Sequence, residues 1–252
     1  MKTRSVEMKM WSIGTPLLLT LLVFGCAPAS IEVGPPQELV EDPHSSVTSI
    51  DAPNIGTVHY ATRVKHLRQG AAPLVVLLHY GYDGEKPDPG ISGNMISAFA
   101  FGLTDNEPVV LAPVVVEGDW LNPKNEAAVV WLTRCAMETY EIDPEQVYLC
   151  GYSMGGEGTY HIASRHQDLF SGAIAMAAPT AGPVGGWEIP LYVLHSPSDS
   201  IVSSDEAKAH TAKIKAQGGN VKYTTVPGAS HYSMQKFAPF LSDAFKWLQE
   251  NQ

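Results

Sequence analysis

The chain has 252 residues, 44% of them apolar and 17% charged, which is enough to build a sizeable core and excludes global disorder. Twenty-six acidic residues against sixteen Lys and Arg give a net charge of −10, and the basic residues are scattered, which argues against a nucleic-acid binder. Three cysteines exclude a disulfide scaffold and a multi-cysteine zinc site.

Lys2, Arg4 and Lys9 make a basic start, followed by an uncharged apolar run from Trp11 to Phe24. The run suits the core of an export signal and falls short of the roughly 20 residues of a spanning helix. It closes on Val23-Phe24-Gly25-Cys26, which resembles a bacterial lipoprotein signal. That resemblance implies a signal peptide over residues 1–25, cleavage before Cys26, and lipid attached to the Cys26 thiol. Three cations against Glu7 would leave with the signal, so the mature chain carries about −12. Residues 26–53 are rich in Pro and Ser without periodicity and predict a flexible tether. One catalytic domain is expected over residues 54–252.

Thr57 to Val64 alternates as a strand. Buried-strand runs follow at Pro73–His79, Val109–Ala112, Val147–Cys150, Ala173–Ala177 and Leu191–His195, with a last strand at Val221–Val226. A long loop, Tyr80 to Gly93, follows the first of these runs and reads as a small flap or a solvated excursion. Asn122-Pro123 starts a helix reaching Tyr140. Ser203 and Glu206 form a capping box, and Gly218-Gly219 ends that helix. Leu241, Ala244, Phe245 and Leu248 make the apolar stripe of a final helix. Alternating β and α elements predict a three-layer α/β/α sandwich around a mostly parallel sheet.

The chemistry centres on Gly151-Tyr152-Ser153-Met154-Gly155, a G-x-S-x-G sequence directly after a strand and before a helix. A sharp turn there lifts a serine hydroxyl out of the sheet edge, and the flanking glycines let strand and helix approach. Serine needs a base, and the strand ends supply candidates. Asp199 follows the next-to-last strand and His231 follows the last, so both fall on the same sheet edge as Ser153. His231 would move the proton and Asp199 would orient the ring. Asp205 is the rival acid, but its place in the first turn of a capped helix is explained by the helix dipole. An oxyanion needs two backbone donors: the N–H of Met154 and one from Tyr80-Gly81-Tyr82.

From about Leu74 to its end the chain resembles α/β-hydrolases of the bacterial esterase type, such as dienelactone-hydrolase-like, phospholipase/carboxylesterase-like and polyhydroxybutyrate-depolymerase-like enzymes. Leu77-Leu78-His79, Gly151 to Gly156 with Gly158-Thr159-Tyr160, Pro190 to Asp199, and Pro227 to His231 carry the likeness. It implies Ser153 as nucleophile, Asp199 as acid and His231 as base. The family's usual His-Gly-x is His79-Tyr80-Gly81 here, and matching by position assigns the second donor to Gly81, with Tyr80 the alternative. His-Gly before the acid loop is His195-Ser196 here. In this fold caps are commonly inserted after the sixth strand; Ala178 to Pro190 is too short for one, so an open site without a cap domain is expected.

His79 and His195 end strands and are expected to orient loops, and His161 and His166 to be surface or packing residues. No pair of histidines separated by three to five residues is backed by cysteine, so no structural zinc is expected, and no cofactor is implied. Cys135 and Cys150 read as buried thiols in preference to a disulfide. Trp120 and Trp187 either line the substrate pocket or pack at its rim. The expected activity is hydrolysis of small or medium carboxylic esters through an acyl-enzyme, in a monomer lipid-anchored to a bacterial envelope. A serine peptidase or an envelope-polysaccharide deacylase on the same fold is the runner-up. A non-catalytic binding lipoprotein is the third alternative.

Overall fold

The computed structural model describes residues 31–40, 47–64, 70–103 and 107–252. The expected export signal and the proposed lipid site Cys26 lie outside the described residues. Eight strands form one sheet in the order β1-β2-β4-β3-β5-β6-β7-β8. They are β1 Thr48–Ala52, β2 Gly56–Arg63, β3 Ala72–Leu78, β4 Val109–Pro113, β5 Ile142–Tyr152, β6 Gly172–Met176, β7 Leu191–His195 and β8 Val221–Thr225. β1 and β2 form an antiparallel hairpin joined antiparallel to β4, and β3 to β8 run parallel to one another.

All seven residues of β3 are buried, as are all five of β4, β6 and β7. This is the signature of strands covered on both faces. Along β3, Leu74, Val76 and Leu78 enter one core and Val75 and Leu77 the other. The first core packs beneath α2 Pro123–Thr139, α3 Met154–Arg165 and α4 Ser204–Ala216 through Trp131, Tyr160 and Ile214. The second packs beneath α1 Ile91–Phe99 and α5 Leu241–Glu250 through Met95, Phe99, Leu241 and Leu248. Cys135 lies in the first core and Cys150 in the second, both as free buried thiols.

The sequence predicts the helix starts well. Asn122 accepts from the Lys124 amide with Pro123 at the first helical position, and Ser203 accepts from the Glu206 amide. Three features differ from expectation. The domain does not begin at residue 54: β1 precedes it and pairs with β2 from Thr48↔Tyr60 to Ala52↔Gly56. Nor is the whole of residues 26–53 a free tether. The Trp131 indole donates to the Pro35 carbonyl, the Leu39 amide to Thr139 Oγ1 and the Gln37 amide to Cys135 Sγ, while Leu39 is buried. Its prolines prevent a regular element, yet its carbonyls and amides still find partners on α2. Finally, the loop expected to run to Gly93 ends at Gly90, where α1 begins. Asp88 accepts from the Gly90 amide there, and Ile91, Met95, Ile96 and Phe99 supply a buried stripe.

Residues 177–190 link β6 to β7 without a helix or strand. Among the described residues, no helix is long and apolar enough to cross a membrane.

Candidate active site

The parallel register brings the carboxyl ends of the strands level. Leu78 pairs with Gly151, Tyr152 with Met176, Met176 with Leu194 and His195 with Thr225. Ser153 therefore emerges at the edge where the loops after β7 and β8 also emerge.

Ser153 adopts φ 55° and ψ −118°, a left-handed backbone that a side chain rarely accepts. The surrounding packing enforces it. A Cβ on Gly151 would come within 2.0 Å of the Gly155 carbonyl oxygen, and one on Gly155 within 2.2 Å of the Leu78 carbonyl oxygen. Only glycines allow α3 to start this close to β5 and β3. The Ser153 amide donates to the Met176 carbonyl at 2.9 Å, which fixes the turn against β6. Met154 is the first residue of α3, so its amide is among those a helix leaves without an internal partner.

Ser153 Oγ lies 2.9 Å from His231 Nε2, and His231 Nδ1 lies 2.8 Å from Asp199 Oδ2. A carboxylate only accepts, so Nδ1 carries the proton and Nε2 accepts from the serine. The Asp199 side chain is fully buried. Burial pushes its pKa up, but the Val202 amide, the His231 ring and the Ile201 amide outweigh it and hold it below the ordinary carboxylate value. Both amides reach Oδ1 at 2.9 Å, and Oδ2 faces the His231 imidazole, with His195 Nε2 3.6 Å from the same oxygen. Asp205 is absent from this network and pairs instead with Lys208 on the exposed face of α4.

Three residues around the site escaped the sequence reading. The Tyr152 hydroxyl donates to the His231 carbonyl at 2.7 Å, tying the histidine loop to the residue before the serine. Its signal was present as the aromatic x of G-x-S-x-G. Ile201 and Tyr232 stand exposed beside Asp199 and His231, with the Tyr232 ring edge-on to His231.

The loop after β3 is set by side chains. His79 Nδ1 donates to the Tyr80 carbonyl at 2.7 Å, and its Nε2 accepts from the Val115 amide at 3.2 Å. Burial lowers its pKa to about 4, so the ring is neutral. The Trp120 indole donates to the His79 carbonyl at 2.9 Å. In a trans peptide the N–H points away from the C=O. Trp120 thus aims the Tyr80 amide, and His79 aims the Gly81 amide. Trp120 is a buried packing residue against His79 and Gly158 in place of a pocket wall, and Trp187 is buried with its indole on the Pro183 carbonyl.

His195 Nε2 donates to the Val202 carbonyl at 3.1 Å, which braces the acid loop. His161 and His166, with Arg165, all donate to Glu126 and so fasten α3 to α2. Burial alone would raise the Glu126 pKa, but these donors outweigh it and lower it. Among the described residues, no group of His, Cys, Asp and Glu is arranged to hold a metal ion.

Comparison with known proteins agrees with this architecture. Residues 118–240 match the dienelactone hydrolase family. A bifunctional acetylxylan esterase/xylanase from Neocallimastix patriciarum is 32% identical over 84 residues, covering 31% of this chain and 12% of that protein. Among solved structures, a thermostable esterase has a TM-score of 0.65 at 26% identity, covering 81% of this chain and 62% of that one. A lidless α/β serine hydrolase from Xanthomonas campestris has a TM-score of 0.58 at 15% identity, covering 84% of this chain and 95% of that one. The chain thus spans about an eighth of the curated relative it matches and under two thirds of the thermostable esterase. With a parallel sheet in this order and a strained serine at its edge, the chain has the α/β-hydrolase fold, and its residues 118–240 match the dienelactone hydrolase family.

Proposed function

We propose that this chain is a serine hydrolase of carboxylic esters. The observation that carries it is the continuous relay of Ser153 Oγ, His231 and Asp199 at 2.9 and 2.8 Å, on a serine held in a strained turn. His231 Nε2 takes the serine proton as Oγ attacks the ester carbonyl. The tetrahedral oxyanion is held by the amides of Met154 and Gly81. His231 returns the proton to the alcohol, which leaves an acyl-Ser153. Water, deprotonated by the same nitrogen, then attacks the acyl carbon and frees the acid and the serine. Asp199 keeps the ring in the tautomer this needs. The acetylxylan esterase and thermostable esterase relatives support an ester as the bond cleaved.

A fluorophosphonate probe should label the wild-type protein and leave Ser153→Ala unlabelled. Short p-nitrophenyl esters should be hydrolysed by the first and not the second. Equal labelling of both would remove Ser153 as nucleophile. Replacing the ester by the matching anilide tests the peptidase alternative, which predicts comparable rates on the two.

We also propose that Cys26 carries lipid and holds the domain at a bacterial envelope as a monomer, with no cofactor. The basic start, the short apolar run and Val23-Phe24-Gly25-Cys26 support it. Globomycin should make the uncleaved form accumulate, and unchanged gel mobility would argue against lipidation.

A further inference from the structure

Beside the loop that carries Gly81 lies a cleft of about 560 Å³, bounded by that loop and by α1. It falls within the roughly 300–1,000 Å³ of small-molecule sites. Nothing in the relay above uses it. Its walls are Tyr80, Tyr82, Asp83, Asp88, Asn94 and Ser97. We propose that this cleft binds a saccharide as the polyhydroxylated part of the ester; the proposal rests on the ester-hydrolase reading and names its substrate class.

The chemistry of the lining carries the assignment. Tyr80 and Tyr82 flank Gly81, so the cleft begins one residue from a proposed oxyanion donor. The Tyr82 ring is fixed by its hydroxyl on the Gly118 carbonyl at 2.7 Å and by its edge contact with His79. A fixed aromatic ring offers a face to the C–H side of a sugar. Gly90 and Gly93 also line the cleft, and without side chains they leave the approach to α1 open. Asn94 and Ser97 stand one turn apart on the exposed side of α1. An amide and a hydroxyl both donate and accept, as adjacent sugar hydroxyls do. Asp83 and Asp88 add acceptors, although one oxygen of Asp88 already takes the Gly90 amide at 2.7 Å. Two carboxylates oppose an anionic substrate. Ile91 is the one aliphatic residue of the lining, and six polar side chains around it oppose a long acyl chain. A cationic alcohol would use the carboxylates and rings but would leave the donors of Asn94 and Ser97 idle.

The test compares acetate release from partially acetylated xylo-oligosaccharides, p-nitrophenyl acetate and acetylcholine by the full domain. The Asn94→Ala/Ser97→Ala double variant changes only exposed positions of a helix to its best former, so folding is not at risk. Its ratio of kcat/KM, acetylated saccharide over p-nitrophenyl acetate, should fall at least tenfold, mostly through KM. Unacetylated xylobiose should inhibit wild type competitively and inhibit the variant more weakly. A ratio within twofold of wild type, or no inhibition by xylobiose, overturns the saccharide site while leaving the esterase intact. Preference for acetylcholine over the saccharide likewise overturns it in favour of a cation. Absence of any p-nitrophenyl acetate hydrolysis by wild type would instead remove the esterase reading on which the site depends.

Discussion

Asp199 is buried and charged at once, and that combination requires every acceptor site to be filled. Asparagine at this position would keep an oxygen for the Ile201 and Val202 amides and turn its NH₂ toward His231. The ring would then present a proton to Ser153 where it must present a lone pair. Asp199→Asn should lower kcat by roughly 10³–10⁴-fold. Asp205→Asn, on an exposed carboxylate of α4, should stay within twofold, and an equal fall in both would relocate the acid. His79 makes a separate prediction about pH. Its pKa drops from 6.5 to about 4 on folding because burial disfavours the imidazolium. The unfolded chain therefore binds this proton more readily than the folded one, and stability is complete above pH 6.5 and lost as pH falls toward 4. The shift is on the order of 3 kcal/mol over that window. Urea midpoints of wild type should fall between pH 7 and 4.5, and His79→Leu should flatten part of that fall. His195 and His210 are depressed in the same direction by burial, so the slope will not vanish. Asp199 and Glu126, both lowered, add their losses only below the ordinary carboxylate range. An unchanged slope in His79→Leu would mean that the ring is not held neutral by the fold.

Among the elements, the junction of β5 and α3 tolerates the least change. A methyl group on Gly155 would meet the backbone of β3, which cannot retreat without breaking the pairing of Leu78 with Gly151. Gly155→Ala should cost about 3 kcal/mol in chemical denaturation and abolish ester turnover. Turnover at wild-type rate would show that the turn has slack. Gly218→Ala fits a different environment, an open left-handed position after α4, and its cost there is conformational. The elements near this junction were the most legible ones in the sequence. Continuous apolar runs report strands covered on both faces, and Asn122, Pro123 and Ser203 announce helix starts by their side-chain chemistry. Ser153, Asp199 and His231 could be picked out because parallel strands deliver their carboxyl ends to one edge. Less could be read where the signal is shared between distant segments. α1 is nine residues long and begins inside a polar, Pro- and Gly-rich loop, so its stripe emerges only once the facing core is known. The positions of Trp120 and His79 depend on each other across the sheet edge, and neither residue type foretells it. β1 alternates with mostly polar residues at a sheet edge, where burial imposes little pattern.

For the molecule as a whole, the amino-terminal segment acts as part of the domain. Residues 35–40 cover α2, satisfy the Trp131 indole and exchange two hydrogen bonds with Tyr60 through Val40. A fragment beginning at Val47 would expose the Leu39 pocket and leave that indole to water. Lost burial and a lost hydrogen bond together amount to about 2 kcal/mol. Its Tm should lie roughly 4–8 °C below that of a fragment beginning at Ala27. Equal melting temperatures would reduce the segment to a passive cover.

The docking of Ile31 and Val33 against the core also sets a length. If Cys26 bears the proposed lipid, five peptide steps separate it from Ile31, a span of about 17 Å when fully stretched. A leash running free to residue 54 would reach roughly 95 Å by the same rule. Under that premise the short leash would hold the domain closer to the bilayer than a free tether would, where the serine would sample esters arriving at the surface. Inserting a long flexible spacer after Cys26 should then extend hydrolysis to immobilised polymer at a distance, with soluble esters cleaved at the same rate, and no gain in range would show that the short leash is not what limits it.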